Sequence, residues 1–187
     1  MADLYIALLH FPMRNRKGEV VATALTSIDV ADIARTARTY GVARYFVVTP
    51  LPSQRRIAAA LREFWLAEDF PPRREAVELV AVREDLEDCF LEVCKIEGRD
   101  PLLLGTSARS PLFYPRIEWE EARRLIAVRP TLICFGTGHG MAEEVLAACD
   151  ALLPPIRAGF GYNHLSVRAA VAITLDRLKG EADAGDG

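Results

Sequence analysis

The chain has 187 residues, 51% hydrophobic, 26% charged and 8% aromatic, a composition for one globular domain. At that length about 70% of the unfolded surface can be buried, so neither a disulfide framework nor a metal staple is required. The net charge of −3 lacks the crude signature of a nucleic-acid binder, and no apolar run approaches the ~20 residues of a membrane span.

Apolar runs alternate with amphipathic stretches from end to end. Strands are predicted at 4–10, 44–49, 79–83, 101–106, 131–135 and, briefly, 151–153. Helices are predicted at 29–40, 53–67, 85–97, 119–128, 141–149 and 164–179. In the first helix Val30, Ile33, Ala34 and Ala37 make the i, i+3, i+4, i+7 stripe. The alternation implies an α/β fold, a mostly parallel sheet with helices on both faces. Residues 70–74 (Phe-Pro-Pro-Arg-Arg) and 108–116 read as loops punctuated by proline. No repeat or linker divides the chain, so residues 1–179 form a single domain. Residues 180–187 hold Glu181, Asp183 and Asp186 without a basic residue or any periodicity, and are expected to be a disordered acidic tail. Without those three charges the body is neutral.

The last predicted helix is unusual, because Ala169-Ala170-Val171-Ala172-Ile173 is apolar on every side. Such a helix must be wrapped, by the rest of the chain or by a second subunit.

The start, Met1-Ala2-Asp3, lacks the basic opening and cleavage site of a signal peptide, which sets the cytoplasm as the expected compartment. Cys89, Cys94, Cys134 and Cys149 form no C-x-x-C pair and read as reduced, structural thiols. His10, His139 and His164 are too scattered to suggest a metal site. Basic residues cluster at 14–17, Arg35/Arg38, Arg55/Arg56, Arg73/Arg74 and Arg123/Arg124; taken alone, each is a solvated face.

The strongest local signal is Phe135-Gly136-Thr137-Gly138-His139-Gly140-Met141, between a buried strand and a helix. One glycine would satisfy a turn; three at alternate positions let backbone approach a ligand, at the strand end where open α/β sheets bind one. The ligand is not a dinucleotide by the usual fingerprint, since Met141 stands where the third glycine belongs and no acid follows at the ribose position. There is no G-K-[ST], no G-x-S-x-G and no H-E-x-x-H.

Two further segments complete the pattern. Arg35-Thr36-Ala37-x-x-x-Gly41 ends a helix at a glycine, and Asn163-His164-Leu165-Ser166-Val167 opens the last one, where Asn163 is the simplest N-cap. In this order the three segments resemble the SPOUT class of S-adenosylmethionine-dependent RNA methyltransferases. Leu8-Leu9-His10-Phe11-Pro12, Thr49-Pro50-Leu51 and Gly105-Thr106-Ser107-Ala108-Arg109 are similar to a small bacterial family of that class, over residues 4–179.

The resemblance implies a C-terminal deep trefoil knot, a homodimer, S-adenosylmethionine as cofactor and RNA (tRNA or rRNA) as substrate, with no membrane and no metal. It implies cofactor binding by Thr106, Ser107, Gly136, Gly138, Gly140, Leu153, Ile156, Asn163 and Leu165. Arg35, the motif arginine, joins Asn163, Ser166 and Arg168 as the catalytic set. Two departures stand out. Asp29 replaces the asparagine that the ribose-methylating branch carries six residues before its arginine, and no appended RNA-binding domain is expected within these 187 residues. They leave base and ribose open as the target, and keep a catalytically silent cofactor- or RNA-binding module as the alternative.

Overall fold

The computed structural model describes residues 2–109 and 113–180; the expected tail lies, Gly180 apart, outside the described residues. In chain order the elements are β1 (Leu4–Leu9), β2 (Met13–Arg14), β3 (Val20–Val21), α1 (Ser27–Thr39), β4 (Arg44–Val48), α2 (Pro52–Ala67), α3 (Pro71–Glu78) and β5 (Val80–Arg83). They continue with α4 (Leu86–Glu97), β6 (Leu102–Gly105), α5 (Trp119–Val128), β7 (Thr131–Gly136), α6 (Glu143–Ala148), β8 (Ala151–Leu152) and α7 (Val167–Lys179).

Six strands form one sheet in the order β5-β4-β1-β7-β6-β8, and every pairing in it is parallel. The central strand β1 is buried along its whole length, as its unbroken apolar run requires. Its alternate side chains enter opposite cores. Leu4, Ile6 and Leu8 pack with α1, α3, α5 and α7, whereas Tyr5, Ala7 and Leu9 pack with α4 and α6. Each fully buried Leu or Ile there stabilises by about 1.5–3 kcal/mol. A parallel sheet brings all its strand C-termini to one edge, and the loops at that edge build the site described below. Among the described residues, no helix is long and apolar enough to cross a membrane.

The structure corrects the sequence reading in four places. Residues 71–78 are a helix, not a loop, because Pro71 and Pro72 occupy its first turn, where a missing N–H is harmless and φ near −65° suits a helix. Residues 13–21 add a two-stranded antiparallel hairpin, Met13 opposite Val21. The last helix begins at Val167; its cap is Ser166, whose hydroxyl accepts from Ala169 N at 3.3 Å, not Asn163. Finally, one chain covers only one side of that helix. Val171, Thr174, Leu175 and Leu178 are buried, while Ala169, Ala172 and Ile173 stay half-buried.

A candidate cofactor cavity at the strand ends

A cavity of about 790 Å³ opens at the C-terminal edge of the sheet, within the usual size of small-molecule sites. Its floor is the loop after β7. Gly138 has φ +59°, a left-handed conformation that side chains disfavour. At Gly136 a Cβ would lie 2.7 Å from Met141 Cγ and 3.0 Å from its backbone nitrogen, so only glycine lets the loop fold this tightly.

Neighbouring loops supply the walls. Thr106 follows β6, its hydroxyl donating to Cys134 O at 2.9 Å, and Ser107 comes next. Leu153 and Ile156 follow β8, with Leu153 N donating to Gly105 O at 2.9 Å. Asn163, Leu165 and Ser166 arrive from the segment before α7, where Asn163 Nδ2 donates to Ala108 O at 3.2 Å. Every residue expected to hold cofactor therefore lines this one cavity, as do Asn163, Ser166 and Arg168 of the catalytic set. Arg35 does not; it is exposed on α1 and outside the cavity.

Arg14 and Arg109 line the cavity, and of the two arginines in the expected catalytic set the one that reaches it is Arg168. Its Nη1 donates to Asp29 Oδ1 at 2.7 Å, and its Nε lies 3.6 Å from Asp32 Oδ2. Asp29 is buried in the first turn of α1, whose N-cap Thr26 donates its hydroxyl to Asp29 Oδ2 at 2.6 Å and accepts from Asp29 N at 3.2 Å. A carboxylate there also complements the positive end of the helix. The residue that departs from the ribose-methylating pattern thus has a built role: it fixes a guanidinium beside the cavity. The Thr26-x-x-Asp29 spacing, a capping box with Asp in the usual Glu position, was the available signal for it.

Sequence reasoning missed the support beneath the floor. Thr23, in the segment after the hairpin, places its hydroxyl 2.5 Å from that of Thr137 and 3.0 Å from His10 Nδ1. Thr137 in turn donates to Leu9 O at 3.0 Å. The hairpin is pinned to the same loop, Arg14 N donating to Gly140 O at 2.9 Å and Ala142 N to Pro12 O at 3.0 Å. No local motif marks Thr23, because its partners are brought together only by the sheet.

His10 is fully buried, and its Nε2 has no partner among the described residues. Burial lowers its pKa from 6.5 to about 4, with the charge of Asp29 working in the opposite sense. Between those values an unfolded chain binds a proton that the folded one refuses, so stability falls as pH drops from about 6.5 to 4. The loss is on the order of 3 kcal/mol. Urea melts at pH 7 and pH 4.5 should show it in the wild type, and His10→Gln should flatten the difference.

Burial pushes the Cys89 thiol up, and hydrogen bonding to Cys149 with burial does the same to Cys134. All four cysteines are free.

Comparison with known proteins agrees with this geometry. A family model described as SAM-dependent RNA methyltransferase matches residues 3–180. The chain is 40% identical over 183 residues to a protein of Nitratidesulfovibrio vulgaris named tRNA (guanine-N(1)-)-methyltransferase, covering 96% of this chain but 42% of that protein. It thus spans less than half the length of such relatives. An uncharacterised protein of Aquifex aeolicus is 39% identical over 180 residues, covering 94% of this chain and 88% of its own length. The crystal structure of the A. aeolicus TrmH/SpoU tRNA modifying enzyme superposes with a TM-score of 0.57 at 16% identity, over 96% of this chain and 75% of that one, a likeness of fold. Matched across its whole described domain, the chain belongs to the family of SAM-dependent RNA methyltransferases.

Proposed function

We propose that this protein methylates RNA, tRNA or rRNA, using S-adenosylmethionine held in the cavity at the strand ends. The observation that carries the reading is convergence. Three loops far apart in sequence meet there, on a floor where Gly136 has no room for a side chain and Gly138 and Gly140 hold positive φ. The tRNA named in the longer relatives favours tRNA within that class.

The bound cofactor supplies a methyl group already activated on a sulfonium. The chain's part is to bind, orient and exclude water. In this reading backbone at Gly136, Gly138, Gly140, Leu153, Ile156 and Leu165, with the side chains of Thr106 and Ser107, holds the cofactor. Asn163 and Ser166 orient the nucleophile. Arg168, set by Asp29 and Asp32, offers a fixed cation beside it for a phosphate or oxygen of the substrate, with a planar fork that lysine lacks.

The same reading has a deep trefoil knot formed by the segment after β8, a homodimer and a cytoplasmic location. The half-buried Ala169, Ala172 and Ile173 on α7, alongside α1, support the dimer: a second copy would complete the wrapping that an all-apolar helix needs. Light scattering at micromolar concentration should give twice the chain mass, and Ala172→Glu should shift it toward one. A monomeric wild type would count decisively against this interface.

Tritiated methyl transfer from S-adenosylmethionine to RNA from a deletion strain tests the activity. Label in nucleosides after digestion is the expected result. Cofactor binding without label would favour the silent module.

A further inference from the structure

We propose that the loops framing the cavity form a docking rim for unpaired RNA, a proposal that rests on the methyltransferase reading for its biological purpose but not for its test. The chain carries a net charge of −3, yet its charges are not evenly spread. Residues 10–25, 106–109, 113–117 and 153–168 contain seven basic side chains and a single acidic one, Glu19. Each of these stretches contributes residues to the same cavity or continues from one that does. Arg168 is paired there with Asp29 and Asp32, and Arg14 faces Glu143. That leaves the exposed Arg16, Lys17 and Arg109 as the cations of this edge that can neutralise phosphates.

The geometry of this edge suits a nucleic acid more than a free anion. Arg14 lines the cavity, and its side chain lies 3.6 Å from Glu143. Arg16 and Lys17 stand exposed at the tip of the β2–β3 hairpin, whose turn is ordered by Asn15 accepting from Lys17 N and Glu19 N at 2.8 and 3.0 Å. Arg109 is exposed on the opposite wall. Cations thus flank the cavity on two sides, an arrangement that follows a backbone.

Exposed aromatic side chains lie on the same stretches of chain. Phe113, Phe160 and Tyr162 are 93%, 84% and 78% exposed, far more than a single chain's stability would select. Tyr162 sits edge-on to the cavity-lining His164, with ring centroids 5.3 Å apart. Exposed rings beside a basic track are stacking platforms for bases that have left their own stack. A nucleotide that enters the cavity must also leave its base stack. Both features select single strands, loops or bulges over an uninterrupted duplex.

The test uses the full chain and two probes, a fluorescein-labelled 20-nucleotide single-stranded RNA of mixed sequence and a 20-base-pair RNA duplex. Binding is followed by anisotropy across a potassium chloride series, with S-adenosylhomocysteine affinity measured in parallel by calorimetry. The wild type should bind the single strand at least tenfold more tightly than the duplex. In Arg16→Ala/Lys17→Ala/Arg109→Ala the single strand should bind at least tenfold more weakly, and the salt slope should fall by about 2, at about 0.7 for each lost cation. Phe160→Ala/Tyr162→Ala should weaken binding about tenfold with the slope unchanged. Arg74→Ala/Arg124→Ala, away from these loops, should alter neither.

A salt-independent wild type, a duplex preference, or an unchanged slope in the triple variant would overturn the rim. So would aromatic variants that keep RNA affinity and instead change the mass in light scattering, because a second copy would then cover the rings. If the wild type binds RNA as described but not S-adenosylhomocysteine, the rim stands and the methyltransferase reading falls. The reverse result leaves the cofactor site and removes the rim.

Discussion

Gly138→Val should weaken S-adenosylhomocysteine binding at least a hundredfold while leaving the protein folded. At φ +59° a β-branched residue is strained whatever the space around it. There is also little space, since a Cβ would stand 3.1 Å from Thr23 Cγ2. Thr23 has no easy retreat, because its hydroxyl is tied to Thr137 and to His10. The strain is relieved only if the floor moves, which shifts Gly136–Met141 out of register with the wall at Thr106. Gly98→Ala is the matched control. Gly98 caps α4 at φ +68° with nothing within 4 Å of its would-be Cβ. That variant should lose about 1 kcal/mol of stability and no cofactor affinity. A folded Gly138→Val protein with wild-type affinity would remove the glycine loop from the cofactor site.

Arg35→Ala should lower single-turnover methylation at least tenfold, about 1.4 kcal/mol of transition-state stabilisation, and leave cofactor affinity intact. Arg35 lies outside its own chain's cavity, on the helix that would join α7 in a dimer interface. We propose that in such a dimer it serves the partner's cavity. Mixed dimers decide the point. A dimer of one Arg35→Ala chain and one Gly138→Val chain contains a cavity with an intact floor, faced by an intact arginine from the other chain. Co-purified on two tags, it should recover about half the wild-type rate, although each parent dimer keeps no more than about a tenth of it. If Arg35 acts within its own chain, each site in the mixed dimer is broken and nothing is recovered. Arg35→Lys should recover little if a planar fork on phosphate or ribose oxygens is needed, and much if charge suffices. Full activity in Arg35→Ala would take the residue out of the site altogether.

Much of the fold was legible because parallel strands buried on both faces leave a plain trace. Leu4–Leu9, Leu102–Gly105 and Thr131–Gly136 are apolar without alternation, and amphipathic helices separate them. Where the reading failed, local rules were ambiguous. Pro71-Pro72 punctuates a loop as readily as it opens a helix, and only packing of Ala76 and Val77 into the core decides for α3. Asn163 and Ser166 are comparable caps by propensity. Here the Asn163 amide is taken by Ala108 across the loops, and Ser166 accepts from Ala169 N.

By itself the sequence determined the succession of the six sheet strands and of every helix but α3, the glycine floor and the residue types that converge on it. Those are local properties, written in periodicity and in the conformations that each side chain permits. Tertiary structure alone decided that, of the expected catalytic arginines, Arg168 reaches the cavity and Arg35 does not. It also set what supports the floor, the chain of hydroxyls from Thr137 through Thr23 to His10, and where the basic residues gather. The reason is geometric. Parallel strands carry residues more than a hundred positions apart to one edge, and hydrogen bonds between them depend on sheet order and register, which no stretch of sequence specifies alone.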